Sequence, residues 1–131
     1  QGLFKKVTCP VLVVPTGVDQ EQLRTIVYAT AFEQSDVFAI RRLAQLAQLF
    51  NAKIKVIHIT TKEEYAGDQQ MEWFKELLRE KVNYSKIDFN LLYSESVFED
   101  LQAFVVEENA SMLVMLERSE ELSIKRLFHQ K

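Results

Sequence analysis

Glycine is scarce in this chain, since three of its 131 residues are Gly. Two of them, Gly2 and Gly17, precede the first α/β unit that the sequence predicts. A loop that cradles a phosphate brings several glycines close together, so the sequence predicts no such loop. Cysteine is scarcer still: the lone Cys9 excludes an internal disulfide and favours an intracellular setting.

Long apolar runs and a basic excess are also missing. No apolar run approaches the roughly 20 residues that span a bilayer, and no signal-like segment opens the sequence. We therefore expect a cytoplasmic protein with no membrane partner. The formal net charge of −3 argues against a nucleic-acid partner, which requires a basic surface. No Cys and His cluster has the spacing of a metal site, and no metal is expected.

What the sequence does contain is a regular alternation of apolar strands and amphipathic helices. With 131 residues and 47% apolar composition, the chain fits one domain with one core. We predict an α/β fold, in which an open parallel sheet carries helices on both faces and right-handed crossovers. The predicted strands are residues 9–14, 23–30, 52–59, 86–93 and 112–116; the predicted helices are residues 35–50, 71–82, a segment that begins at Ser96, and 120–128.

The polarity of the strands predicts their order. Strand 86–93 alternates apolar residues with polar ones, including Asp88 and Asn90, and therefore belongs at an edge of the sheet. The expected order is 3-2-1-4 for the strands that begin at 86, 52, 23 and 112, all parallel. The opening strand takes the fifth position beside Met112–Leu116, within its own chain or in an exchanged dimer. Its expected interface residues are Cys9, Val11, Leu12, Val13 and Val14.

Three segments of the sequence resemble the universal stress protein family. Residues 24–59, RTIVYATAFEQSDVFAIRRLAQLAQLFNAKIKVIHI, resemble the family's first β-α-β unit. Residues 108–118, ENASMLVMLER, resemble its fourth strand, and residues 9–15, CPVLVVP, resemble its closing fifth strand. The resemblance implies a Rossmann-like fold of the adenine nucleotide alpha hydrolase type. A fifth strand before the first implies the second half of a tandem protein: residues 1–22 are left from a preceding domain, and residues 23–131 form a domain without its own closing strand.

The resemblance also shows where this chain departs from the family's nucleotide binders. Those members use an acid after the first strand and a glycine motif after the fourth. Ala31 stands at the position of the acid, and residues 117–131 contain no Gly. Acidic residues instead crowd this segment and would repel a phosphate. We therefore expect no cofactor and a vestigial crevice, formed by Ala31, Phe32, Glu117, Arg118 and Ser119.

The function that the resemblance implies is a non-enzymatic domain of a stress response. It would act through dimerisation or protein contacts, with a second copy, a tandem partner domain or an unidentified protein. The alternative is a domain that binds ATP or AMP weakly in the crevice after the first and fourth strands. His58 is expected to be a neutral histidine with one hydrogen bond, and Ser35, Ser96 and Ser119 are expected to cap helices. Trp73 falls off the apolar stripe of its helix and is a candidate contact residue.

Overall fold

A six-stranded sheet organises the chain. The computed structural model describes residues 4–5, 11–15, 23–60 and 67–116. Its strands are β1 (Phe4–Lys5), β2 (Val11–Pro15), β3 (Thr25–Ala29), β4 (Lys53–Thr60), β5 (Ile87–Tyr93) and β6 (Met112–Leu116). Its helices are α1 (Gln34–Phe50), α2 (Gly67–Lys81) and α3 (Val97–Glu107). The helix predicted over residues 120–128 lies outside the described residues.

The strand order across the sheet is β1-β2-β6-β3-β4-β5. Within it, β6, β3, β4 and β5 run parallel to one another, which confirms the α/β class and the predicted 3-2-1-4 order. The connections through α1 and α2 run from β3 towards β5, and the connection through α3 returns to β6. The chain thus changes direction at β3, and open α/β sheets hold their ligands beside such a strand.

The opening strand pairs with β6 inside its own chain, as one of the two predicted arrangements required. β2 is antiparallel to β6, with Val11 opposite Leu116 and Pro15 opposite Met112. β1 adds a further antiparallel strand at the edge, with Phe4 opposite Leu12. The sequence did not predict β1, because two residues are too few to show a periodic pattern. Cys9 lies outside the described residues.

Strand β5 lies at the opposite edge of the sheet, as its alternating polarity predicted. The Asp88 carboxylate on this strand pairs with the Lys53 ammonium at 3.2 Å and with that of Lys55 at 3.7 Å. Lys55 also reaches Glu108, at 3.0 Å, beyond the end of α3. Among the described residues, the buried amide nitrogen of Asn90 has no hydrogen-bond partner. A central position would have buried Asp88 more deeply, at a larger desolvation cost.

The core is divided between the two faces of the sheet. On one face, α1 and α2 pack on β3 and β4 around fully buried residues such as Ile26, Ile40 and Phe74. On the other face, Leu101 and Phe104 of α3 pack against Val27, Ile57 and Leu113. Trp73, which precedes Phe74 on α2, is 52% exposed, so its predicted outward position is confirmed. In the described ranges, none of the helices combines the length and the hydropathy needed to cross a membrane.

Two expectations about helix α1 were wrong. The helical spacing of the apolar residues over 35–50 predicts one inner stripe of Phe38, Ile40, Leu43, Ala44, Ala47 and Phe50. In the structure, Phe38 and Phe50 are 52% and 48% exposed. The buried stripe instead contains Asp36, Val37, Ala39, Ile40, Leu43, Ala44 and Ala47. Apolar residues occur on both sides of this helix, so their spacing alone did not fix which side faces the sheet. The N-cap is Glu33 rather than Ser35, whereas Ser96 is the N-cap of α3 as predicted.

Candidate functional site

The candidate site is the turn that joins the carboxyl end of β3 to the start of α1. Strand β3 lies between β4 and β6, so this turn opens into the crevice where the connections change direction. A helix start presents backbone N–H groups that attract anions. Whether a ligand finds those groups available depends on what the turn residues already bind.

The carboxylate of Asp36 occupies the donors of this turn from inside the protein. Its Oδ2 accepts the backbone N–H groups of Ala31 at 3.1 Å and Glu33 at 3.0 Å. Its Oδ1 accepts the phenol of Tyr28 at 2.6 Å, and the exposed fraction of Asp36 is 0%. Buried charge is costly unless it is hydrogen-bonded in this way. The carboxylate therefore holds strand, turn and helix together.

Sequence reasoning missed Asp36 because it sought an acid directly after the strand. That position is Ala31, which has no polar side chain and whose N–H group donates to Asp36. The sequence did contain a pattern that indicates its role. Asp36 comes three residues after Glu33, and an acid at this third helical position accepts a hydrogen bond from the N-cap N–H in a capping box. The structure has this reciprocal box between Glu33 and Asp36.

Phe32 closes the crevice with an aromatic side chain. It is 7% exposed, and its ring centroid lies 4.3 Å from that of His58 and 5.4 Å from that of Phe74. Its backbone φ is 62°, in the left-handed region that bulky residues avoid at a cost of about 1–2 kcal/mol. Its N–H group donates to Thr30 Oγ1 at 3.0 Å, which holds this conformation. The strained backbone conformation of Phe32 thus directs its aromatic ring into the protein.

His58 supports the same turn from the neighbouring strand. Its Nδ1–H donates to the carbonyl oxygen of Thr30 at 2.7 Å, because a carbonyl can only accept. The expected hydrogen bond of a strand-end histidine is confirmed. Together with the ring of Phe32, this contact ties the end of β4 to the turn after β3.

The other predicted site residues have different outcomes. Ala31 and Phe32 lie in the crevice, while Glu117, Arg118 and Ser119 lie outside the described residues, as does Cys9. Val11, Leu12, Val13 and Val14 lie on β2, and their backbone pairs with β6. In the part of the chain that the structure describes, no cluster of His, Cys, Asp and Glu has the composition of a metal site.

One titratable group away from the crevice has a displaced pKa. Burial raises the pKa of the Tyr84 phenol above its ordinary value of 10.0. Tyr84 donates to the carbonyl oxygen of Ala52, with that of Ala47 also in reach. A protonated phenol is needed for this bond, so Tyr84 fastens the turn between α1 and β4 and has a structural role.

The fold of this chain is similar to that of solved structures that include a universal stress protein. Ten chains of solved structures match it. Protein Rv1636 from Mycobacterium tuberculosis H37Rv is 21% identical, with a TM-score of 0.56, over 72% of this chain and 71% of that one. A universal stress protein in complex with cAMP is 18% identical, with a TM-score of 0.51, over 66% of each chain. No family model matches the sequence, and no curated protein is significantly similar to it. Identities this low show the fold alone.

Substitutions at Phe32 test the left-handed backbone of the turn. Phe32→Ala should lower the free energy of unfolding by about 3–5 kcal/mol, because a buried ring is lost. Phe32→Gly should be more stable than Phe32→Ala by about 1 kcal/mol, because glycine adopts a positive φ without a steric cost. Urea denaturation of both variants measures the difference. If the alanine variant is as stable as the glycine variant, the turn does not hold residue 32 in the left-handed region in solution.

Proposed function

We propose that this chain is a universal stress protein-like domain that acts through dimerisation or protein contacts in a stress response, without ATP binding and without an enzymatic reaction. In this proposal it is a cytoplasmic protein and the second half of a tandem pair. The proposed contact with a second copy or with the tandem partner is the opening strand, at Cys9, Val11, Leu12, Val13 and Val14. The fold supports the proposal by analogy; the crevice supports it through its chemistry.

The observation that carries the proposal is that the Asp36 carboxylate already binds the backbone N–H groups of the crevice. The backbone N–H groups of Ala31 and Glu33 already donate to this carboxylate, so an incoming phosphate would have to displace a bonded anion. Like charges at one helix start repel. The ring of Phe32 lies against that of His58 in the same crevice, with the two ring planes tilted by 36°. The Gly-free sequence of residues 117–131 supports the same conclusion.

The second candidate function is weak nucleotide binding in this crevice. One of the structures that share the fold is a universal stress protein in complex with cAMP. A nucleotide would require Phe32 to leave its place beside His58, and its phosphate would require donors other than the two that Asp36 holds. The candidate therefore predicts a ligand-dependent rearrangement of the turn.

Thermal unfolding with ATP, AMP and cAMP in the presence of Mg²⁺ separates the two candidates. We expect no shift of the melting temperature with any of the three nucleotides. A ligand at about 100 times its dissociation constant adds about 2.7 kcal/mol to the stability, which amounts to several degrees in a domain of this size. A shift that saturates with nucleotide concentration, and that calorimetric titration reproduces, would overturn the proposal that this domain binds no nucleotide.

A further inference from the structure

Helix α1 carries a row of exposed apolar side chains on the side that faces away from the sheet. We call Phe38, Leu46, Leu49 and Phe50 the α1 outer stripe; they are 52%, 38%, 79% and 48% exposed. At about 100° of rotation per residue, the stripe occupies a sector of about 120° opposite the buried Ala44. Leu46, Leu49 and Phe50 cluster at the carboxyl end of the helix, and Phe38 lies about two turns before Leu46. Exposed apolar side chains are common one at a time, but several on one side of a helix mark an interaction surface.

The charge around the α1 outer stripe has one sign. Arg42 projects within the same sector, Arg41 lies beside it, and both are exposed. From residue 37 to residue 50 the helix contains no Asp or Glu, and neither arginine forms an ion pair with another described residue. Two of the three cations of α2 differ, because Lys75 pairs with Glu72 at 3.6 Å and Arg79 pairs with Glu76 at 2.6 Å. The outer side of α1 is thus apolar and positive.

We propose that the α1 outer stripe, with Arg41 and Arg42, docks an amphipathic acidic helix of a partner protein. The inference rests on the proposed function, in which the domain acts through protein contacts, and it names the chemistry of one such partner. From Phe38 to Phe50 the stripe is about 18 Å long, or slightly more than three helical turns. Leu46, Leu49 and Phe50 have the i, i+3 and i+4 spacing of residues that contact a packed helix, and Phe38 extends the same side about two turns further. Glutamates on the partner would pair with the two arginines.

Other occupants fit the α1 outer stripe less well. Two copies that paired α1 with α1 would bring the arginines of both chains together, and like charges at an interface are costly. An anionic membrane would attract the two arginines, but it would repel a chain whose net charge is −3. A nucleic acid would bind mainly through its phosphates and would leave the four apolar side chains without a partner. Self-association and vesicle binding are therefore outcomes that the experiment must distinguish.

The experiment uses a labelled peptide of about 18 residues with Leu at positions i, i+3, i+4 and i+7 and Glu elsewhere, because those are the anchors of a helix that binds in a groove. A matched peptide has Lys in place of Glu. Fluorescence anisotropy with the full chain should show at least tenfold tighter binding of the Glu peptide. Leu49→Gln should weaken that binding at least fivefold. Combining Arg41→Glu with Arg42→Glu should reverse the preference between the peptides.

Val106→Gln is the matched control variant. Val106 is 75% exposed, on α3 at the other face of the sheet, so this change should leave peptide binding within twofold of the wild type. Equal binding of the two peptides, no binding at all, or an equal loss with Val106→Gln would overturn the proposal. Self-association in sedimentation that Leu49→Gln abolishes and the peptide does not inhibit would assign the stripe to a second copy. Binding to phosphatidylserine vesicles that requires Leu49, without peptide binding, would assign it to a membrane.

The same variants keep the two proposals apart. A nucleotide shift in the wild type and in Leu49→Gln alike would overturn the nucleotide-free function and leave the peptide result intact. Failure of the peptide to bind, with no nucleotide shift, would overturn the α1 docking site while the proposed function stands.

Discussion

Replacing Asp36 with alanine should lower the free energy of unfolding by about 3–5 kcal/mol. The substitution leaves the Tyr28 phenol and the N–H groups of Ala31 and Glu33 without their acceptor. A buried donor that loses its partner costs about 1–3 kcal/mol. Asp36→Asn should cost less, because the asparagine oxygen can still accept from the two N–H groups. Urea denaturation monitored by circular dichroism measures both variants.

Asp68→Ala is the control for the loss of an acid in the first turn of a helix. Asp68 has the same kind of position in α2 but is exposed, so its loss should cost at most about 1 kcal/mol. Tyr28→Phe, made alone and together with Asp36→Ala, completes a double-mutant cycle whose coupling energy isolates the phenol–carboxylate bond. If Asp36→Ala unfolds within about 1 kcal/mol of the wild type, the network does not organise the turn.

Deleting residues 1–15 should destabilise the domain by more than about 3 kcal/mol and make it associate. The deletion removes β2, which pairs along the whole of β6 from Met112 to Leu116. Three buried residues of β6, Leu113, Val114 and Leu116, lie next to the lost strand, and burial of each such side chain is worth roughly 1.5–3 kcal/mol. An apolar edge strand with unpaired backbone recruits other chains. Urea denaturation and light scattering measure the two effects.

Deletion of residues 1–5 is the control, because it removes β1 and leaves the pairing of β2 with β6 in place. Since β1 pairs with β2 over two residues, we expect a small loss of stability and no change in molar mass. A variant without residues 1–15 that is as stable and as soluble as the full chain, with an unchanged oligomeric state, would show that β2 is dispensable.

The strand order could be predicted because each strand has a distinct polarity. The apolar runs of β3 and β6 require burial on both faces, and the alternating polarity of β5 tolerates an edge. Because the connections are short and crossovers between parallel strands are right-handed, few strand orders are then possible. The place of β2 followed from the same reasoning. An apolar strand requires burial, and the free edge of β6 requires a strand that pairs with its backbone.

The interior of the site could not be predicted from the same patterns. Periodicity reports which face of an element is apolar, but Asp36 is a charged residue on the buried face, and tertiary bonds from Tyr28 and Ala31 place it there. A left-handed φ at Phe32 contradicts local preference, whereas Asn51 and Asn109, the other non-glycine residues described with positive φ, have side chains that tolerate it. The exposure of Phe38 was missed because both sides of α1 carry apolar residues.

The pairing of β2 with β6 also fixes when the sheet can be completed during synthesis. Val11 meets Leu116 across the strands, so most of the chain separates two segments that must touch. Closing a loop of about 100 residues is entropically slow compared with forming the β-α-β units between them. At a ribosomal rate of about 5–20 residues per second, β2 waits for roughly 5–20 seconds before its partner strand is made. We therefore expect the pairing of β2 with β6 to follow the synthesis of β3, β4 and β5.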